Sequence, residues 1–116
     1  MTDNDDLAFF RERQAQMYAA YNKSVQPIAS FISISGIAIG RTTDGKIVLN
    51  APLDHLFWTK HLAAFASMVT QNVSLLEGVT GREIWNTGFV SPLAKKSLED
   101  MGWTVHENAE SKLALQ

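Results

Sequence analysis

The sequence contains no cysteine and only three prolines, and it lacks a long apolar run. Without cysteine, this chain of 116 residues forms no disulfide and holds no cysteine-ligated metal or iron–sulfur cluster. Its longest uncharged stretch, residues 24–40, is broken by serine, glycine and Pro27, whereas a membrane span needs roughly 20 mostly apolar residues. We therefore predict that the chain does not span a membrane.

Positive charge is not in excess either. Ten lysines and arginines stand against twelve aspartates and glutamates, and the formal net charge is -2. Residues 1–58 and 59–116 each carry five basic and six acidic residues. Because a nucleic-acid binder concentrates positive charge on one face or stripe, we predict no nucleic-acid partner and expect recognition through shape and apolar contact.

A secretory signal is also missing from residues 1–6, which are acidic and polar where such a signal is basic and then apolar. We therefore assign a cytoplasmic location by default, although an excised or processed domain would show the same start. Apolar residues make up 46% of the chain, which suits one folded domain. We assign residues 1–116 to a single domain, with its core at about 4–108 and a mobile tail at 109–116.

The apolar periodicity predicts an α+β or small α/β domain with the element order α-β-β-α-β-α-β. A helix is expected at residues 4–23, where apolar side chains recur at helical spacing and acidic residues crowd the start. A β-hairpin is expected at 31–49, with Asp44-Gly45 at its turn because both residues tolerate the positive φ of a type I′ turn. The apolar alternation changes phase at Gly36, which indicates a bulge or bend.

The second half predicts a long helix packed on the sheet, followed by a strand, a helix and a strand. The long helix is expected at 52–76, where Pro52 suits its first turn. Residues 82–86 and 103–106 are typical of short strands, and the segment between them, 91–102, is typical of a capped helix. A strand, a helix and a strand in this order favour a parallel βαβ unit.

The turn between residue 86 and the last predicted helix is the first candidate site. Backbone N–H groups at a strand-to-helix junction can bind an anion, with hydroxyl and ammonium groups beside them. This interpretation selects five ligand-binding residues: Thr87, Gly88, Ser91, Lys95 and Lys96. The alternative is structural: Gly88 would relieve a tight turn, and Ser91 would cap the helix.

No catalytic or metal-binding constellation is visible in the sequence. His55 and His61 are six residues apart, which is not the spacing of a ligand pair on a helix. His106 is expected on a strand with Glu107 on the opposite face, so the two do not form a dyad. Serines lack the nucleophile-elbow pattern. We predict no cofactor and no metal, and the pattern favours a protein that is not an enzyme.

The first helix is the second candidate site. Phe9 and Phe10 are adjacent and therefore about 100° apart on a helix, so that at least one of them can face a partner. Together with Met17 and Tyr21 they form the candidate interface, unless the helix has a wide buried face. We therefore predict a non-catalytic binding or assembly module that contacts a protein partner or forms a homo-oligomer. The alternative is a small-molecule or anion-binding domain at the junction, with enzymatic activity left open.

Overall fold

The computed structural model describes residues 3–34 and 37–113, with side chains described at 10–34, 37–109, 112 and 113. Along the chain the elements are α1 (Asp3–Ser24), β1 (Ile28–Ile34), β2 (Ile37–Thr42), β3 (Lys46–Ala51), β4 (His55–Leu56), α2 (Lys60–Ser74), β5 (Gly81–Asn86), β6 (Phe89–Val90), α3 (Pro92–Asp100), β7 (Thr104–His106) and α4 (Ala109–Lys112). Within this part of the chain, no helix has the length and hydropathy to cross a bilayer.

The main sheet has five strands in the order β1-β2-β3-β5-β7. The first three strands are antiparallel, whereas β5 runs parallel to β3 and β7 runs parallel to β5. This mixed sheet with its helices confirms the predicted α+β class. Two further short strands, β4 and β6, pair in parallel as a separate two-stranded sheet.

The sheet separates two apolar cores, because successive side chains on a strand point to opposite faces. Val48 of β3 packs with α1 and α4, whereas the next residue, Leu49, packs in the larger core with α2 and α3. The smaller core consists of Met17, Tyr18, Tyr21, Val48, Trp85, Ala109 and Leu113. Residues from both ends of the described chain therefore meet on one face of the sheet.

Polar contacts fasten α1 to the central strand β3. The Tyr18 hydroxyl donates to the Ala38 carbonyl oxygen at 2.7 Å and lies 3.1 Å from that of Val48. It also accepts from the Asn50 backbone N–H at 3.3 Å, while the Gln14 amide nitrogen donates to the Asn50 carbonyl oxygen at 2.8 Å. Gln14 and Tyr18 are four residues apart, so they lie on one face of the helix. Burial raises the pKa of Tyr18, and the hydroxyl therefore stays protonated.

The segment predicted as one hairpin contains three strands. Ile34 pairs with Ile37, so the chain already reverses between β1 and β2, which explains the change of phase near Gly36. Gly36 itself lies outside the described residues. The second reversal, at Asp44-Gly45, is where the sequence places it, but positive φ is found at Gly45 and not at Asp44, which rules out a type I′ turn.

The helix predicted at 52–76 is shorter than expected. It begins at Lys60, where the side chain of Thr59 accepts from the Leu62 backbone N–H at 3.1 Å, and it ends at Ser74. The preceding residues alternate instead: His55 and Phe57 are exposed and Leu56 is buried, which is the period of a strand. Pairing with β6 thus outweighs the helical signal of this segment.

The C-terminal βαβ unit is confirmed, and the chain beyond it returns to the smaller core. Ser91 caps α3 by accepting from the Ala94 backbone N–H at 3.2 Å, and Gly102 follows the helix with φ +90°. Ala109 and Leu113, which lie in the segment predicted as a mobile tail, are buried in the smaller core. Residues 114–116 lie outside the described part.

Gly88 provides a test of the fold at the β5–β6 turn. A methyl group there would overlap the Asp54 backbone, so we expect Gly88→Ala to lower the free energy of unfolding by about 3 kcal/mol or more. The matched control is Gly81→Ala, whose new methyl group would meet its nearest atom, the Cγ of Lys46, at 3.8 Å. The control should change stability by less than about 1 kcal/mol. Urea unfolding measures both, and equal losses would contradict the packing described here.

Candidate interaction surface

The predicted anion site lies where the sequence places it, but its donors are engaged within the protein. The backbone N–H groups of residues 87, 88, 89 and 91 donate to the carbonyl oxygens of residues 51, 53, 54 and 56, in that order. The N–H of Val90 donates to the Glu107 carboxylate at 3.3 Å. The Thr87 hydroxyl donates to Leu53 at 3.1 Å, and the Ser91 hydroxyl caps α3.

These bonds give the junction a structural role. Thr87 and Ser91 are buried, and Gly88 makes the close approach to the Asp54 backbone that the alternative interpretation requires. Lys95 is partly exposed and Lys96 is exposed, both on α3. The junction thus joins β5, β4 and α3 into one unit, and anion binding there stays a prediction without a geometric observation in its favour.

The predicted interface residues of α1 point mainly into the protein. Met17 and Tyr21 are fully buried between the helix and the sheet, so they pack the smaller core instead of facing a partner. Phe10 is partly buried and lines a cavity, while the Phe9 side chain lies outside the described ones. A partner that approaches α1 therefore meets a different set of side chains.

The side chains that such a partner meets lie along an uncovered edge of the main sheet. β1 is the outer strand of the main sheet, and among the described strands it pairs with β2 alone. Its seven residues, Ile-Ala-Ser-Phe-Ile-Ser-Ile, carry no charge. A register shift between Ile28 and Ser30 and the preceding Pro27 interrupt only its first residues. Charges, prolines and bulges are the usual protection of an edge strand, and residues 30–34 have none of them.

A groove runs beside this edge, between β1 and α1. Its volume is about 580 Å³. On the helix side it is lined by residues at successive turns of α1, and on the sheet side by Phe31, which is 54% exposed. The Phe31 ring meets the ring of Tyr18 edge-on, with the centroids 5.0 Å apart. We refer to β1 and this groove together as the edge-strand surface. Helical periodicity had favoured Met17 and Tyr21 as the interface instead. The sequence signal for the edge-strand surface is the uncharged run 28–34.

A second group that the sequence did not reveal surrounds Glu83. The Trp85 indole N–H donates to the Glu83 carboxylate at 2.9 Å, and the His106 ring stacks on Trp85 with centroids 4.0 Å apart. His106 Nε2 lies 3.4 Å from one carboxylate oxygen of Glu83, and Lys46 Nζ lies 3.6 Å from the other. The register of β5 with β7 creates this group, because it aligns Trp85 with His106 across 21 positions of sequence.

Burial dominates the electrostatics of this group. It lowers the pKa of His106, and the attraction of Glu83, which acts in the opposite direction, does not compensate. Burial, with Glu83 and Asp44 nearby, also raises the pKa of Tyr21 to about 12. The neutral His106 ring stacks on Trp85, and the protonated Tyr21 ring meets Trp85 edge-on, so these contacts are packing contacts and we assign the group no chemical step.

The described residues contain no candidate metal site, since no three of their histidine, aspartate or glutamate side chains are grouped to hold an ion. Comparison of the chain with protein-family models, curated proteins and solved structures finds no match. The edge-strand surface therefore has to be interpreted from its own geometry.

The lowered pKa of His106 predicts a pH dependence of stability. The unfolded chain takes up this proton near pH 6.5, and the folded protein does so only at lower pH. Acidification below about pH 6.5 should therefore destabilise the native state through His106. His106→Gln removes this group, so the difference in free energy of unfolding between wild type and variant should shrink from pH 7 to about pH 5.5. Urea titrations at both pH values test this, and a constant difference would contradict it.

Proposed function

We propose that this domain is a non-catalytic assembly module that pairs with a second copy of itself through β1. The observation that carries the proposal is an uncharged outer strand, with its last five residues free of bulge and proline. An exposed strand of this kind is a template for pairing, and natural proteins cover or charge such edges unless they use them. Self-association covers the edge without a further protein.

The strand is suited to pairing with itself about a two-fold axis. Phe31 is the central residue of Ile28–Ile34, so an antiparallel pairing centred on it places the Phe31 residues of the two copies opposite each other. Directly opposed residues share one face of a sheet. Since Phe31 lies on the α1 face, both rings would lie above the grooves of the two copies. Two copies would thus form one continuous ten-stranded sheet, twice the five strands of a single copy.

The contacts involved favour a dimer that responds to concentration. An aromatic pair adds about 0.5–1.5 kcal/mol beyond the area it buries, and the paired strands exchange main-chain hydrogen bonds. Against this, association costs on the order of 4–15 kcal/mol of lost freedom. The net free energy of association is therefore small for the pairing of two seven-residue strands. We therefore expect reversible association in the micromolar to millimolar range.

Light scattering and sedimentation equilibrium across that range test the proposal. Wild-type protein should move from monomer mass toward dimer mass as its concentration rises. Phe31→Glu should stay monomeric, because it sets two carboxylates opposite each other and removes the aromatic pair. Ser33→Lys should act in the same direction by placing a charge on the exposed edge.

The matched control is Leu93→Glu, which changes a 60% exposed apolar residue on α3, away from β1. It should associate like wild type. Far-ultraviolet circular dichroism checks that all three variants remain folded. Wild-type protein that keeps monomer mass at millimolar concentration would overturn the proposal, as would a Phe31→Glu variant that associates as strongly as wild type.

A further inference from the structure

The groove between α1 and β1 is long and narrow. On α1 its lining residues follow one another at spacings of three, four and one from Arg11 to Asn22, which places them on one face of the helix. Asn22 is eleven positions after Arg11, so the groove extends over about 16 Å at about 1.5 Å per residue. Its volume of about 580 Å³ then corresponds to a mean cross-section of about 35 Å². A groove of these dimensions has room for one extended chain.

The middle of the groove is apolar. Ala15 and Ala19 are exposed on the helix side, and their small side chains leave the space between α1 and β1 open. Ile28 and Phe31 line it from β1, and the Phe31 ring contacts the ring of Tyr18. Apolar surface is stabilised when it is removed from water. A ligand with an apolar chain would cover these side chains along the length of the groove.

The two ends of the groove differ in charge. Arg11, at one end, is exposed, and it carries the one charge among the described residues that line the groove. It also interacts within the protein, but a guanidinium has five donors and can bind a carboxylate in addition. At the other end, the side-chain oxygen of Asn22 accepts from the Ile28 backbone N–H at 2.8 Å. An anionic group is therefore attracted to the Arg11 end.

We infer that this groove binds a medium-chain carboxylate, with the alkyl chain between α1 and β1 and the carboxylate at Arg11. The apolar middle of the groove matches the chain, and the positive charge at its end matches the head group. Because Arg11 is exposed, the carboxylate there keeps contact with water, which avoids the cost of burying an ion. A length of about 16 Å accepts roughly twelve carbons. One copy of the chain forms the whole site, so this inference does not rest on pairing through β1.

Nuclear magnetic resonance titrations with octanoate and 1-octanol test the inference, because the probes share a chain length and differ in charge. Both should shift the main-chain amide signals of residues 15, 19 and 31 saturably, and octanoate should bind more tightly. A second cavity, of about 330 Å³, lies in the larger core and is lined by Phe10 and Trp103 among others, so the Trp103 indole signal reports entry there. No saturable shift at residues 15, 19 and 31, or shifts confined to Trp103, would overturn the inference.

The length of the probe tests the dimensions of the groove. Octanoate, decanoate and dodecanoate are compared below the concentrations at which they form micelles. Affinity should rise about two- to fourfold per added methylene group, because each one removes further apolar surface from water. Equal affinities across the series would contradict a chain that lies along the groove.

Replacing Arg11 separates the head group from the chain. Arg11→Gln should weaken octanoate binding about three- to fivefold, a modest loss because an exposed ion pair contributes little, and should leave 1-octanol binding unchanged. The matched control is Arg13→Gln, which changes the other arginine of α1, outside the groove lining, and should leave both affinities unchanged. Equal weakening of both probes in Arg11→Gln would remove the carboxylate from its assigned place.

Filling the groove tests its position. Ala15→Phe places a ring in the groove and should abolish binding of both probes, whereas Gln16→Phe, at the next position and outside the lining, should leave binding unchanged. Both positions are exposed, and far-ultraviolet circular dichroism checks that the variants fold. Binding that persists unchanged in Ala15→Phe would overturn the inference. Pairing through β1 is decided by mass measurements without a probe, so failure of either proposal is seen separately.

Discussion

The attachment of α1 to β3 through Tyr18 and Gln14 is the constraint on which the rest of the structure depends. Both side chains reach main-chain groups of the central strand, and Tyr18 is held there by hydrogen bonds in a buried setting. Buried polar groups that are fully paired specify one arrangement of the elements around them. The helix is therefore fixed in position and angle over the sheet, and it does not merely cover an apolar face.

Two surfaces follow from that attachment. Because α1 is held over β2 and β3, it stops short of covering β1, which leaves a groove against the outer strand. The same position brings Phe10 to the carboxyl end of β3, where it closes the second cavity from the α1 side. Gly40 allows this geometry, since a methyl group there would press on the Tyr18 ring at 3.3 Å. One helix thus borders both the proposed assembly edge and a cavity of the larger core.

Local sequence signals predicted those elements whose ends are marked by capping and turn residues. In the sequence, the start of α3 is marked by Ser91 and Pro92 and its end by Gly102. The structure has the helix between them. The segment of β1, β2 and β3 was predicted as one hairpin because a reversal of the chain and a bulge both change the phase of an alternating pattern. The start of α2 was misjudged because Leu56 and Trp58 suit a helix as well as a strand. Pairing with residues more than thirty positions away decided that case.

The edge-strand surface and the cavity of the larger core could not be predicted from local patterns. The edge-strand surface needs the strand order, which places β1 at the outside, and the cavity needs the joint packing of Phe10, Leu49 and Trp103. These arrangements depend on how the helices pack against the two faces of the sheet. The position of the Asn50 carboxamide, for which the described side chains provide no hydrogen-bonding partner, likewise becomes known only from its neighbours.

Hydrogen–deuterium exchange as a function of protein concentration tests the central claim, that β1 is an edge made for pairing, most directly. Within residues 30–34, the alternate main-chain amides that point away from β2 should become protected as concentration rises, while those of β7, the other edge strand, should exchange at unchanged rates. Exchange of residues 30–34 that is independent of concentration would contradict the account.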